Sequence, residues 1–135
     1  MGFLIDTSVL LAAERGRFSL TDLARSLVGE PMALAAITAS ELLHGVHRAI
    51  DPAIAEKRSR FVEYMLGIFP VLPFDLETAR VHAGLWAALQ RGGQTIGAHD
   101  LIIAATARAA GYGVITTNST DFQRVPGLTV KNPLA

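Results

Sequence analysis

The stretch GAHDLIIAATARAAGYGVITT, Gly97 to Thr117, decides the fold. From Leu101 to Ala107 almost every position is apolar, so a helix here lacks a polar face and is buried nearly all round. Gly111 and Gly113 end it, and Val114-Ile115-Thr116-Thr117 reads as an interior strand. A buried helix leading straight into a buried strand belongs to a layered α/β core, where helices cover both faces of a sheet.

The same alternation extends in both directions. Phe3-Leu4-Ile5 is a short buried strand, and Thr7 or Ser8 can cap the helix over Val9 to Arg15, which Gly16 stops. Leu20, Leu23, Ala24 and Leu27 have helical spacing, and Met32 to Ile37 is a second apolar strand. A helix follows from Thr38 towards Ala49. Asp51 and Pro52 open a longer one to about Phe69, with Ile54, Phe61, Val62, Met65 and Leu66 on its apolar stripe. Pro70 to Phe74 is extended because each Pro restricts its predecessor. Leu76 to Ala87 is an amphipathic helix that Gly92-Gly93 terminates, Asn118 to Val125 a loop with a turn of helix, and Leu128 to Val130 a last strand. The expected architecture is α/β in three layers, with a central, mainly parallel sheet flanked by helices, and one domain over residues 1–135.

A chain of 135 residues buries about two-thirds of its unfolded surface, enough for one ordinary core. Twelve Lys and Arg balance twelve Asp and Glu, so bulk attraction to a polyanion is absent and any such binding needs a local patch. Lys occurs only at Lys57 and Lys131; the other ten basic residues are Arg, whose planar fork suits phosphate. The absence of Cys excludes disulfides, thiolate zinc sites and thiolate nucleophiles. The N-terminus has no basic leader and Asp6 interrupts its apolar run, so no signal peptide or membrane span is expected and the cytoplasm is the expected compartment.

In parallel α/β sheets ligands bind outside the carboxyl ends of the strands. Four acids reach that edge: Asp6 after the first strand, Glu41 in the first turn after the second, Asp100 at the start of the buried helix, and Asp121 after the Val114 strand. Four ionised carboxylates about 5 Å apart would repel by about 3 kcal/mol per pair at an effective dielectric near 20, approaching about 20 kcal/mol in all. A domain stable by about 5–15 kcal/mol cannot hold that bare, so the cluster needs protons, Arg neighbours or divalent cations. Oxygen ligands without Cys or paired His favour Mg²⁺ or Mn²⁺ over zinc. Simpler readings exist. Thr38-Ala39-Ser40-Glu41 fits a capping box, Asp100 could complement a helix dipole, and Asp121 could be an ordinary loop acid. Asp6 is the hardest to dismiss, since an acid directly after a core strand is costly to bury unless something charged meets it.

Asp6-Thr7-Ser8, Glu41-Leu42, Gly97-x-His99-Asp100-Leu101-Ile102-Ile103-Ala104-Ala105 and Thr117-Asn118-x-x-Asp121-Phe122 resemble the PIN-domain signature, nearest to VapC-type toxins, over the whole chain. The resemblance implies a PIN-like fold and a Mg²⁺- or Mn²⁺-dependent endoribonuclease with RNA as substrate. It implies a homodimer silenced by a cognate VapB-type antitoxin, whose tail occupies the acidic groove. It makes Asp6, Glu41, Asp100 and Asp121 the catalytic metal ligands, and Thr7, Ser8, Thr117 and Asn118 the polar residues that orient them. An RNA-cleaving chain of zero net charge must concentrate its arginines near the groove, and Arg15, Arg17, Arg48 and Arg124 lie on suitable segments. Of the four histidines only His99, beside Asp100, is worth testing, as a packing or supporting residue. Leu85, Trp86, Leu89 and the Phe61 to Phe69 region supply apolar surface for self-association.

Three rivals compete. A phosphotransfer receiver would use Asp75 as acceptor, but Lys131 stands too late in the chain. A dehalogenase-type hydrolase wants an acid where Ser8 stands. A catalytically silent PIN-like scaffold that binds RNA or protein is the remaining alternative, and such scaffolds lose one or more of the four acids.

Overall fold

Phe3, Leu4 and Ile5 form strand β1 and send alternate side chains into two separate cores. Leu4 packs with Leu85, Leu89, Leu101, Ile103 and Phe122 on one face of the sheet; Phe3 and Ile5 pack with Val9, Leu10, Leu23, Leu42, Val62 and Met65 on the other. Because both faces are covered, the inner strands are apolar throughout rather than alternating. Each fully buried Leu, Ile or Phe contributes about 1.5–3 kcal/mol.

The computed structural model describes residues 1–134; Ala135, the last residue of the expected 1–135 domain, lies outside the described residues. After β1 (Phe3–Ile5) come α1 (Thr7–Glu14), α2 (Leu20–Ser26), β2 (Met32–Ala35), α3 (Ala36–Arg48), α4 (Pro52–Ile68) and β3 (Val71–Leu72). They are followed by α5 (Leu76–Arg91), α6 (Ala98–Ala110), β4 (Gly113–Ile115), α7 (Ser119–Phe122) and β5 (Val130–Lys131). The sheet order is β3-β2-β1-β4-β5 and every pairing is parallel. The chain winds outward from β1 through β2 to β3, then returns to lay β4 on the other side of β1. The β1/β4 boundary is therefore the topological switch point, where a crevice opens beyond the carboxyl ends.

The deciding stretch behaves as its composition requires. Leu101 and the five residues Ile103 to Ala107 of α6 are buried, and small Ala side chains let the helix sit close to the sheet. Gly111 closes α6 in the left-handed conformation, φ +72°, where an L side chain is strained. A Cβ on Gly113 would stand 2.8 Å from the Thr129 carbonyl and 2.9 Å from the Phe3 ring, so β4 must begin with glycine.

Several boundaries differ from expectation. β2 stops at Ala35 rather than Ile37, and α3 begins at Ala36 with Ala35 at its N-cap. Thr38 is then buried within the first turn and caps nothing. The continuous apolar run hid this switch because a buried strand and a buried helix start have the same composition. α1 starts at Thr7 with Asp6, not Thr7 or Ser8, at its N-cap. β4 ends at Ile115 instead of Thr117, and β5 is Val130–Lys131 instead of Leu128 to Val130. Ile54 is exposed, since it lies in the first turn of α4, two turns ahead of the buried Val62 and Met65. Leu85 and Leu89 are also buried and cannot serve self-association; Trp86, Tyr64 and Ile68 are exposed. Asp75 accepts from the Thr78 N–H and hydroxyl as the N-cap of α5, which removes the receiver reading.

Candidate metal centre

The register Leu4↔Val114 and Ile5↔Ile115 makes Asp6 and Thr116 the next pair along the switch-point crevice. Asp6 is 4% exposed, and its Oδ2 accepts from Ser8 Oγ at 2.7 Å and Thr116 Oγ1 at 2.9 Å. Both donors fall on one oxygen. Ser8 Oγ also accepts from the Thr117 N–H at 3.2 Å, and Thr116 Oγ1 from the Asn118 N–H at 2.9 Å, tying the ends of β1 and β4 together. A polar group buried this deeply needs such partners to offset the loss of water.

Glu41 lies in the second turn of α3, not the first. Since α3 has no side-chain cap, the capping-box role is gone and Glu41 is free to face the crevice. Its Oε1 accepts from Thr7 Oγ1 at 2.9 Å. Its Oε2 lies 3.3 Å from His99 Nδ1, which must be the donor because a carboxylate only accepts. Asp100 opens α6, Asp121 lies on α7, and one Asn118 amide spans them, 3.3 Å from Asp100 Oδ2 and 3.0 Å from Asp121 Oδ2. Arg124 Nη1 holds Asp121 Oδ1 at 3.0 Å and the Thr95 carbonyl at 2.9 Å.

The charges of the other three acids all bear on Asp100. Burial pushes the Asp100 carboxyl up from 3.8 to about 6, and the charges of Asp6, Glu41 and Asp121 push it the same way against the Asn118 hydrogen bond. Among the described residues, Arg124 on Asp121 is the only Arg in the bonds and ion pairs of these acids. The negative charge is thus under-compensated, the condition in which a divalent cation is favoured. Among the described residues no three acid, His or Cys side chains stand close enough together to hold a metal ion by themselves. A hard divalent ion that keeps several of its waters needs only one or two direct carboxylates, which the acids of this mouth can supply.

The expected orienting residues divide. Thr7, Ser8 and Asn118 contact the acids directly, whereas Thr117 contributes its backbone N–H and the hydroxyl comes from Thr116. Sequence reasoning missed Thr116, yet laying Phe3-Leu4-Ile5-Asp6 beside Gly113-Val114-Ile115-Thr116 pairs it with Asp6 at once. Among the arginines, Arg15 and Arg48 border a cleft beside Glu41, Arg124 sits on Asp121, and Arg17 is exposed after α1. His44 and His47 are exposed on α3, and His82 lies between the Phe74 and Trp86 rings.

Comparison with known proteins gives a consistent result. The PIN domain family matches residues 3–128. A Rickettsia bellii protein named ribonuclease VapC is 38% identical over 130 residues, 96% of this chain and 95% of that protein. A Salmonella typhimurium protein named tRNA(fMet)-specific endonuclease VapC is 28% identical over 131 residues, 96% of each. The crystal structure of DNA-bound VapBC from Salmonella typhimurium superposes with a TM-score of 0.87 at 26% identity, covering 98% of both chains.

Proposed function

Because this chain belongs to the PIN domain family, we propose that it is a metal-dependent endoribonuclease, the VapC-type toxin of a toxin–antitoxin pair, neutralised by a VapB-type antitoxin. The observation that carries the reading is the placement of Asp6, Glu41, Asp100 and Asp121 around the β1/β4 switch point, linked through Thr116, Thr7, His99 and Asn118. Asp6, Glu41, Asp100 and Asp121 would hold the ion, Mg²⁺ or Mn²⁺ by the hardness of their oxygens. Such an ion, when bound, lowers the pKa of a water and stabilises charge that develops on a phosphodiester.

The rest is done by the chain itself. Ser8 and Thr116 fix the rotamer of Asp6, Thr7 and His99 hold Glu41 by both oxygens, and Asn118 keeps Asp100 and Asp121 at a set separation. Arg124 anchors Asp121 to the loop before α6. Preorganisation of this kind leaves little rearrangement to be made when substrate arrives. We assign a homodimer on the same reading, with Trp86 and Phe74, 53% and 42% exposed, available to a second copy. No described helix is long and apolar enough to cross a membrane, and the cytoplasm, where RNA and antitoxin meet, is the proposed compartment.

Incubation of the purified chain with a mixed RNA pool in Mg²⁺ or Mn²⁺ tests the reading. Cleavage that stops with excess EDTA and is lost in both Asp6→Asn and Asp100→Asn supports it. RNA bound without cleavage under all these conditions would establish the silent scaffold instead.

A further inference from the structure

Beside the acidic mouth, α1, α3 and α4 enclose a second cleft of about 90 Å³, room for several waters or one phosphate group. Thr7 and Glu41 line it on the side of the carboxylates, and Arg15, Arg48 and Arg58 line it with Glu14. Three of the chain's ten Arg thus border one small opening, in a protein whose net charge is zero. Counting both glutamates the cleft is still positive, directly next to a site that is strongly negative.

Arg58 is the most informative of the three. Its Nε is buried without a hydrogen-bond partner: it forms a loose ion pair with Glu14 Oε1 at 3.8 Å, too far for a hydrogen bond. A buried guanidinium N–H left unpaired costs free energy that an incoming anion recovers. Arg15 and Arg48 are exposed at the ends of α1 and α3 and are free to turn towards the same anion.

We infer that this cleft is a subsite for an RNA backbone phosphate neighbouring the one cleaved, held by Arg15, Arg48 and Arg58. The inference rests on the nuclease reading for which strand enters, and adds where that strand continues. Glu41 and Thr7 face both compartments, so a chain with one phosphate at the carboxylates reaches the arginines by its next units. Arginine's planar fork is matched to phosphate oxygens, and such contacts set position and affinity without reading the base.

The test measures binding of a mixed-sequence single-stranded RNA in EDTA, across a series of KCl concentrations, for wild type, Arg15→Gln, Arg48→Gln, Arg58→Gln and Arg91→Gln. Arg91 is exposed at the end of α5 and lines no part of the cleft. Melting temperatures check folding, and Arg15→Gln and Arg48→Gln keep the test valid if Arg58→Gln unfolds. Each cleft variant is expected to lower the slope of log affinity against log salt by about 0.7, the value of one phosphate contact on a single strand. The loss is expected to be similar for different RNA sequences, with Arg91→Gln unchanged. In cleavage assays the cleft variants are expected to raise KM more than they lower kcat. Unchanged slopes with normal cleavage overturn the subsite and leave the nuclease standing. Unchanged slopes with weakened capture of the VapB-type antitoxin also overturn it, giving the cleft to a protein partner. Altered slopes in a chain that never cleaves RNA support the subsite and remove the nuclease reading alone.

Discussion

Thr116 Oγ1 donates to Asp6 Oδ2 at 2.9 Å, one residue past the last paired positions of β4 and β1. Both residues are buried, so the bond is shielded from water. Thr116→Val keeps the shape but leaves Asp6 with Ser8 alone and the Asn118 N–H without its acceptor. The expected loss is about 1–3 kcal/mol in urea denaturation, with reduced cleavage. Thr116→Ser, which retains the hydroxyl, is expected to restore most of both.

The pH dependence of the metal-free chain follows from Asp100. Its carboxyl titrates at about 6 in the folded state against 3.8 unfolded, because burial and then Asp6, Glu41 and Asp121 disfavour the charge. Between those values the folded chain binds the proton more tightly than the unfolded chain does. The contribution of this group to stability is therefore fully present below pH 3.8 and is lost as pH rises to about 6. Asp100→Asn removes that dependence, and comparing urea midpoints from pH 4 to pH 7 in EDTA reads it directly.

Divalent metal is expected to reverse the penalty. A cation that binds only the folded chain stabilises it by about 2.7 kcal/mol at one hundred times its Kd. Mg²⁺ should raise Tm more at pH 7 than at pH 5, where the proton already occupies Asp100. Calorimetry showing no shift at millimolar metal, or the same shift in Asp6→Asn, would count against these ligands.

Glu41→Gln separates ligand from scaffold. The side chain caps no helix, and Gln keeps an oxygen for Thr7 Oγ1. Stability is expected to change by no more than about 1 kcal/mol, since the only bond lost is the exposed one from His99. Cleavage is expected to fall by about a hundredfold or more, the scale seen when one electrostatic partner of a transition state is removed. Normal activity would return Glu41 to a purely structural place in α3.

How much of this was readable without coordinates depended on what each residue does locally. Asp100 and the buried helix behind it were legible because a run of apolar residues has few alternatives, and Asp6 because an acid ending a core strand is conspicuous. The sheet was legible as parallel from the alternation of elements. Glu41 was placed one turn early, since Ala35-Ala36-Ile37 reads equally as strand or helix and Thr38 imitates a cap. Thr116 and the His99 to Glu41 contact arise from pairings 110 and 58 residues apart, which no local pattern encodes. The Arg58 Nε without a hydrogen bond is likewise a product of three helices meeting.

Asn118→Asp is the most direct challenge to the electrostatic account. The Asn118 amide donates to Asp100 Oδ2 and Asp121 Oδ2, so it is the one neutral group that lowers the repulsion between those acids. Aspartate has nearly the same shape but replaces two donors with a fifth negative charge. At about 5 Å and an effective dielectric near 20 each new pair costs about 3 kcal/mol, and the exposure of Asn118 reduces this to about 1–2 kcal/mol. The metal-free variant is therefore expected to be less stable than wild type at pH 7 and to recover at pH 5, as Asp100 takes up its proton at a still higher pKa. Added Mg²⁺ should also narrow the difference, because a cation screens the new charge along with the old ones. Equal destabilisation at both pH values would mean that Asn118 acts by packing, and that the acids do not repel one another as their positions require.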